Sequence, residues 1–317
     1  MVQNRVQFQR GLPMSEFQKR YGTEAKCHAA LEASRWPSGF ACPCCGGADF
    51  STHIRGHRRI YQCQVCRHQT TVTVGTIFEQ TKLPLTLWFL AMHLLTQAKN
   101  GVSALELKRH LGVSYPTAWL MKHKLLQVMA EREASRVLDG RVEIDDAYLG
   151  GERPGKRGRG SENKVPFVIA VQTTPDGKPV FACFARLPFT SEALKTWAQQ
   201  SLASSAQVLS DGLQCFRAVT AGGAAHEPIS MSELTGRQAA QHPKFKAVNT
   251  VLGNLKTAFS GTYHAFAFRK YADRYLAEVQ YRFNRRFDLS TILKRLVRAA
   301  VSTGPRPHDF ICLAEAS

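Results

Sequence analysis

Two cysteine pairs constrain this chain more than any other feature. Cys42 and Cys45 form a Cys-x-x-Cys step, and Cys63 and Cys66 form a second one that opens 18 residues after Cys45. Each pair sits beside turn residues, Gly46-Gly47 in the first and Arg67-His68 in the second. Four thiolates on two such knuckles make a closed tetrahedral set for a structural Zn2+ ion. A module this small would not hold itself together without the metal. Cys44 is set aside, because a Cys42-x-Cys44 step is too tight for the usual turn. Cys27, Cys183, Cys215 and Cys312 stand in apolar surroundings and are expected to be buried thiols.

Nine cysteines in a chain expected to be cytosolic argue for metal ligation over disulfides. The stretch Met1 to Leu12 is polar and basic, and no apolar run approaches the roughly 18 residues that a membrane span needs. A cytosolic protein with no membrane partner is expected. The chain has 317 residues, enough for two or three domains, and 44% of them are hydrophobic, which excludes wholesale disorder. Lys and Arg number 42 against 24 Asp and Glu, a formal charge of +18. That excess calls for a polyanionic partner, and nucleic acid is the commonest.

The pattern along the chain predicts a helix over 14–35, opened by Ser15 and broken by Trp36-Pro37. Short strands and turns are expected over 40–76 and helices over 84–130. Strands are expected over 142–149 and 166–186, a helix over 191–204 and a buried strand over 206–210. The region 212–246 carries little signal, and 249–300 is helical again. A linker near 131–140 divides the chain into an N-terminal helix and zinc ribbon (1–80), a DNA-binding helical region (81–135) and a larger domain (136–317).

Within the helical region, Ser103-Ala104-Leu105-Glu106 is a capping-box pattern. Gly112 lies in a short turn, and a second helix opens near Tyr115. Helix, glycine turn, helix is the helix-turn-helix layout, whose second helix enters the major groove of DNA. Its outward candidates are Tyr115, Thr117, Lys122 and Lys124.

Candidate metal-binding carboxylates follow. In Val142-Glu143-Ile144-Asp145-Asp146, strand alternation puts Glu143 and Asp145 on the face opposite Val142 and Ile144. Asp145 is therefore better placed than Asp146 to project into a site. Asp211 follows the buried strand Ala206 to Leu209 and precedes Gly212, the strand-end position where open α/β sheets bind ligands; an ordinary Asp-Gly turn reads the same. Two such carboxylates can bridge two Mg2+ ions for phosphodiester cleavage. Asn249 and Lys256 are seven apart and share one helical face. An amide oxygen can ligate Mg2+ and a lysine can hold a phosphate, although a capping Asn with a solvated Lys fits the same pattern.

At these residues the chain resembles bacterial insertion-sequence transposases with an N-terminal zinc ribbon (insertion-sequence family 1595, ISXO-type). The resemblance covers nearly the whole chain. It is carried by Arg35-Trp36-Pro37 with Cys42-Pro43-Cys44-Cys45-Gly46, by Glu143 through Gly151, and by Ser210-Asp211-Gly212. Asn249-Thr250 through Lys256, Gly261-Thr262-Tyr263-His264 and Tyr281-Arg282-Phe283-Asn284-Arg285-Arg286 complete it. It implies an α/β chain: a small zinc ribbon and helix-turn-helix, then a mixed-sheet catalytic domain similar to ribonuclease H. Asp145 and Asp211 are then the acidic ligands of two Mg2+ ions, and Lys256 is the associated lysine. The third position falls on Asn249, where the commonest pattern has Glu; Glu233 is another carboxylate available for it, while Asn254 would face elsewhere on the helix.

By the same resemblance, the protein binds the terminal inverted repeats of its element on double-stranded DNA. It then cleaves and transfers strands in the bacterial cytoplasm, at the nucleoid, as a homodimer or higher oligomer. Arg153, Lys156, Arg157 and Arg159, in the basic loop from Gly151 to Lys164, would grip backbone beside the site. Asn249 motivates the alternative of a non-catalytic DNA-binding regulator or inactive transposase remnant. A nuclease or resolvase-like enzyme of another class is a second alternative.

Overall fold

The computed structural model describes residue 6 and residues 8–56, 58–150, 164–231, 235, 238, 242–263 and 267–313. Its packing forms two compact units. The first draws on Met1–Ala98, Val102–Val128 and Phe287–Cys312, and the second on Lys99–Gly101, Met129–Arg286 and Leu313–Ser317. The chain returns to the first unit after Arg286, so that unit draws on separate stretches of sequence.

In the first unit the expected helix over 14–35 is two helices, α1 (Met14–Tyr21) and α2 (Glu24–Arg35). Thr23 is extended, and its hydroxyl accepts the Lys26 N–H at 3.3 Å, so a new N-terminus opens there. Pro13, not Ser15, precedes α1. Strands β1 (Phe50–Arg55), β2 (Arg58–Cys63) and β3 (Gln69–Thr70) form an antiparallel sheet in that order. Its core consists of Phe40, Cys42, Tyr61 and Cys63, with Trp36 packed against them. So few apolar side chains cannot offset the entropy of ordering the loops, which is why the cysteines matter.

Three helices follow: α3 (Leu85–Gln97), α4 (Ala104–Leu111) and α5 (Tyr115–Glu133). Ser103 caps α4, its side chain accepting the Glu106 N–H at 3.1 Å. Gly112 ends α4 in the left-handed region (φ 65°), where a side chain would be strained. Ser114 then starts α5 by accepting the Thr117 N–H at 3.4 Å.

The second unit is built on a five-stranded mixed sheet of β4 (Arg141–Leu149), β5 (Val165–Thr173), β6 (Pro179–Ala185), β7 (Gln207–Ser210) and β8 (Ala225–Pro228). The spatial order is β6-β5-β4-β7-β8. β4 pairs antiparallel with β5 and parallel with β7, so it is the central strand; β5 and β6 are antiparallel, β7 and β8 parallel. Helix α6 (Ser191–Ser201) and the 3-10 segment Gln214–Gly222 cover one face, and α7 (Lys246–Thr262) and α8 (Phe268–Phe283) cover the other. Alternation along β4 sends Val142 and Ile144 to the first face and Ala147 and Leu149 to the second. β8 is read poorly from sequence because Ala-His-Glu-Pro has no apolar pattern and draws its place from parallel pairing with β7.

Strand β6 lies at the sheet edge, yet its outward backbone groups are not left to solvent. Gln280 Oε1 accepts the Phe184 N–H at 2.8 Å. Asn284 Oδ1 accepts the Ala182 N–H at 2.8 Å while its Nδ2 donates to the Ala182 carbonyl at 2.9 Å. Arg286 donates to the carbonyls of Val180, at 3.0 Å, and Pro179. Side chains at the end of α8 thus replace the missing neighbour strand at alternate residues, blunting an edge that would otherwise invite pairing. Beneath them the buried Glu133 carboxylate accepts from Arg136 at 2.8 Å, Asn284 at 2.7 Å and Arg285. This gives the Tyr281–Arg286 motif a structural job.

After this segment, α9 (Ile292–Ser302) packs against α2 and α3 in the first unit. It buries Ile292, Leu293, Leu296, Val297 and Ala300 on one face.

Candidate functional site

The four ribbon cysteines converge as their spacing predicts. One sulfur each from Cys42, Cys45, Cys63 and Cys66 lies within 4.8 Å of the others, with Cys42–Cys66 and Cys45–Cys63 at 3.6 Å. Sulfurs at about 2.3 Å from a shared tetrahedral zinc lie about 3.8 Å apart, so the donor set fits that ion. The two knuckles are built alike. The N–H of Gly46 donates to the Cys42 carbonyl at 2.9 Å, and that of Arg67 to the Cys63 carbonyl at 3.1 Å. Both turn residues have positive φ, 75° at Gly46 and 62° at Arg67. Cys44 stays outside the set. Cys27, Cys183 and Cys215 are buried as expected, whereas Cys312 is half-exposed.

The α5 candidates do not share a face. Tyr115 and Lys122 are seven apart, as are Thr117 and Lys124, and at 3.6 residues per turn the two pairs point nearly opposite ways. Tyr115, at the first turn, is exposed, but Lys122 is fully buried and leaves the surface set. Thr117 and Lys124 line a groove of about 620 Å³ with Lys82, Trp88 and Arg306. Lys108 and Arg109, both exposed on the last turn of α4, add two cations that the α5 pattern does not point to. Arg153, Lys156, Arg157, Arg159, Glu233 and His264 lie outside the described residues.

The acidic residues gather at the ends of the two central parallel strands. The register pairs Glu143 with Leu209, and continuing it by two residues sets Asp145 beside Asp211. One carboxylate oxygen each from Asp145, Asp146 and Asp211 lies within 4.8 Å of the other two, and all three residues are half-buried. Strand alternation makes Asp145 better placed than Asp146, which lies on the other face of β4. Asp146 joins the cluster because β7 ends at Ser210, so Asp211 lies beyond the strand, where carboxylates from both faces of β4 can meet it. The turn is held firmly. Gly212 has φ 84°, and Asp211 Oδ1 accepts the Leu213 N–H at 3.0 Å. Ser210 Oγ accepts the Gly212 N–H at 3.1 Å and lies 2.9 Å from His226 Nε2. Three carboxylates converging at the strand ends offer the oxygen donors that a divalent cation takes.

Glu143 is the residue that sequence reasoning missed. It is 1% exposed, two residues before Asp145 on the same side of β4. Its Oε1 accepts from Arg141 at 2.8 Å and its Oε2 accepts the Val248 N–H at 2.9 Å. Burial pushes its carboxyl up, opposed by the Val248 and Ala247 amides and by Arg141. α7 has no side-chain cap of its own, so this carboxylate serves its orphan amides from the central strand. The available signal was a charged residue between Val142 and Ile144 in a buried strand. Asn249 follows Val248 directly and is half-buried; since α7 opens at Lys246, it is no cap. Lys256 is exposed two turns further on, as is Asn254.

Residues 137–284 match the family model described as ISXO2-like transposase domain, and residues 22–69 match the transposase zinc-ribbon domain. A curated relative, described as an uncharacterized protein in transposable element ISH50 of Halobacterium salinarum (strain ATCC 700922 / JCM 11081 / NRC-1), is 31% identical over 176 residues. That alignment covers 49% of this chain and 58% of the relative. Fold and matches agree on a zinc-ribbon domain ahead of a mixed-sheet domain, each similar to a transposase domain family. More particularly, the chain carries both domains of the insertion-sequence transposases that its motifs resemble, the zinc ribbon and the ISXO2-like domain.

Proposed function

We propose that the protein is a DNA transposase that binds the terminal inverted repeats of its element and performs Mg2+-dependent strand cleavage and strand transfer. The observation that carries this reading is the meeting of Asp145, Asp146 and Asp211 at the ends of parallel strands β4 and β7. The strand order, with the long antiparallel β4-β5-β6 meander beside the parallel β7 and β8, supports a ribonuclease H-like domain. Asp145 and Asp211 would hold two divalent ions, with the third position served by Asn249 or by the carboxylate of Asp146. Bound there, such ions would supply charge for an attacking oxygen and a leaving oxygen in phosphodiester chemistry. The chain's own task is to hold the carboxylates rigidly through β4, β7 and the Asp211 turn. Lys256 would meet a DNA phosphate.

For DNA recognition we assign Thr117 and Lys124, on one face of helix α5 of a helix-turn-helix, with Lys108 and Arg109 contributing phosphate contacts; Tyr115 lies on the other side, at the exposed first turn. The loop residues Arg153, Lys156, Arg157 and Arg159 remain candidates for backbone contacts beside the site. A cytoplasmic protein acting at the nucleoid as a dimer or larger assembly on paired ends fits this reading. No helix among the described residues is long and apolar enough to cross a membrane.

The test is cleavage and strand transfer on an end-repeat oligonucleotide with Mg2+. Asp145→Ala and Asp211→Ala should each abolish both while leaving DNA binding intact. Undiminished activity in either variant refutes the site. A wild type that binds the ends but neither cuts nor joins them would favour a non-catalytic regulator, the reading that Asn249 motivates.

A further inference from the structure

The β1–β2 hairpin carries a surface that neither the zinc set nor the α5 helix uses. All six residues of β1 are exposed, and β1 is the edge of its sheet. No Asp or Glu occurs between Phe50 and Phe78, a run that holds Arg55, Arg58, Arg59 and Arg67. At the hairpin tip, Gly56 (φ 62°) turns the chain, and the register pairs Arg55 directly with Arg58. Cross-strand partners share a face, so two guanidiniums stand side by side where like charges destabilise the pair. Among the described residues neither has an acidic partner, whereas Arg59 lies 3.8 Å from Glu32. Beside them Ile54 is 67% exposed, opposite Arg59 on the hairpin. A sheet gains nothing from such a pair on its own; an anion spanning both guanidiniums turns the repulsion into attraction. A two-stranded ribbon is also narrow enough to enter a groove of duplex DNA.

We propose that the hairpin tip, with Arg55 and Arg58 as its phosphate contacts, is a second DNA-docking element of this protein, separate from α5. The inference rests on the reading of the chain as a DNA-binding transposase. It is tested by fluorescence anisotropy on a random-sequence duplex without Mg2+, using the full chain. Two double variants are compared, Arg55→Ser with Arg58→Ser, and Arg55→Lys with Arg58→Lys.

The serine pair should lower the slope of log affinity against log salt by about 1.8, at about 0.9 per lost phosphate contact. Affinity at physiological salt should fall by about 10-fold, while zinc content stays at one ion per chain and the melting temperature holds or rises. The lysine pair, which keeps both charges, should bind within about 3-fold of wild type. Equal binding and equal salt slopes in the wild type and the serine pair overturn the docking role and leave the active-site assignment standing. Serine and lysine pairs that lose affinity alike overturn it too, since charge would then not be the cause. A wild type that binds no duplex refutes the DNA-binding reading and this element with it.

Discussion

Replacing Asn284 by alanine tests whether side chains truly stand in for a sheet strand. The substitution removes an amide that is 5% exposed and leaves three buried groups short of a partner: the Ala182 N–H, the Ala182 carbonyl and one oxygen of Glu133. A stranded buried backbone group costs about 1–3 kcal/mol, and a lost bond to a charged group about 1.5–3 kcal/mol. Partial relaxation and non-additivity bring the expected loss to about 3–5 kcal/mol, a large part of the about 5–15 kcal/mol of an ordinary domain. Because the chain forms two compact units, the assay is hydrogen exchange of peptides from β5 and β6, which reports the second unit alone. Where these amides exchange through unfolding of that unit, 3 kcal/mol appears as about 150-fold faster exchange at about 0.59 kcal/mol per RT. Acceleration below about 5-fold refutes the strand-surrogate account. The same network gives a pH dependence. Burial raises the Glu133 carboxyl, but the hydrogen bond and charge of Arg136, the charge of Arg285 and the Asn284 amide outweigh it and hold it below its ordinary 4.5. A carboxyl depressed in the fold stabilises above its unfolded value, and that contribution is lost as pH falls through the folded value. Glu133→Gln should therefore cost more stability at pH 7 than at pH 3.

Three further outcomes are expected. Glu143→Ala strands the Val248 amide and loosens the first turn of α7 from β4; it should cost about 2–3 kcal/mol and weaken Mn2+ binding measured by calorimetry, whereas Glu143→Gln, which keeps an acceptor, should do so less. Gly46→Ala should destabilise the ribbon by about 1 kcal/mol, and Arg67→Gly, at the matching left-handed position of the second knuckle, should stabilise it by up to about 1 kcal/mol in thermal melts; equal signs would contradict the paired-knuckle geometry. Cys63→Ser or a zinc chelator should reduce bound zinc from one per chain to none by mass spectrometry and unfold residues 40–70, while the second unit keeps its exchange protection.

Local chemistry carries the ribbon in the sequence itself. Cys42, Cys45, Cys63 and Cys66 announce their site because both pairs are short-range and the turn residues sit beside them. The α4–α5 step is legible for the same reason, through Ser103 and Gly112. The alternation at Val142 to Asp145 is enough to choose a face of β4. What the sequence could not supply was anything decided by elements distant along the chain. Asp146 enters the acidic cluster only because β7 stops at Ser210, and Lys122, which the chain marks only as a charged helix residue, is fully buried. Glu143 is read as a charge in a strand until α7 arrives more than a hundred residues later with an amide to donate. Gln280 and Asn284 take their role as acceptors for the edge strand β6 only from packing across about a hundred residues of chain. Periodicity and spacing thus determined the modules and the ligand types. Tertiary packing decided which polar groups face metal, backbone or solvent, because a buried polar group takes its role from the partners that packing brings to it.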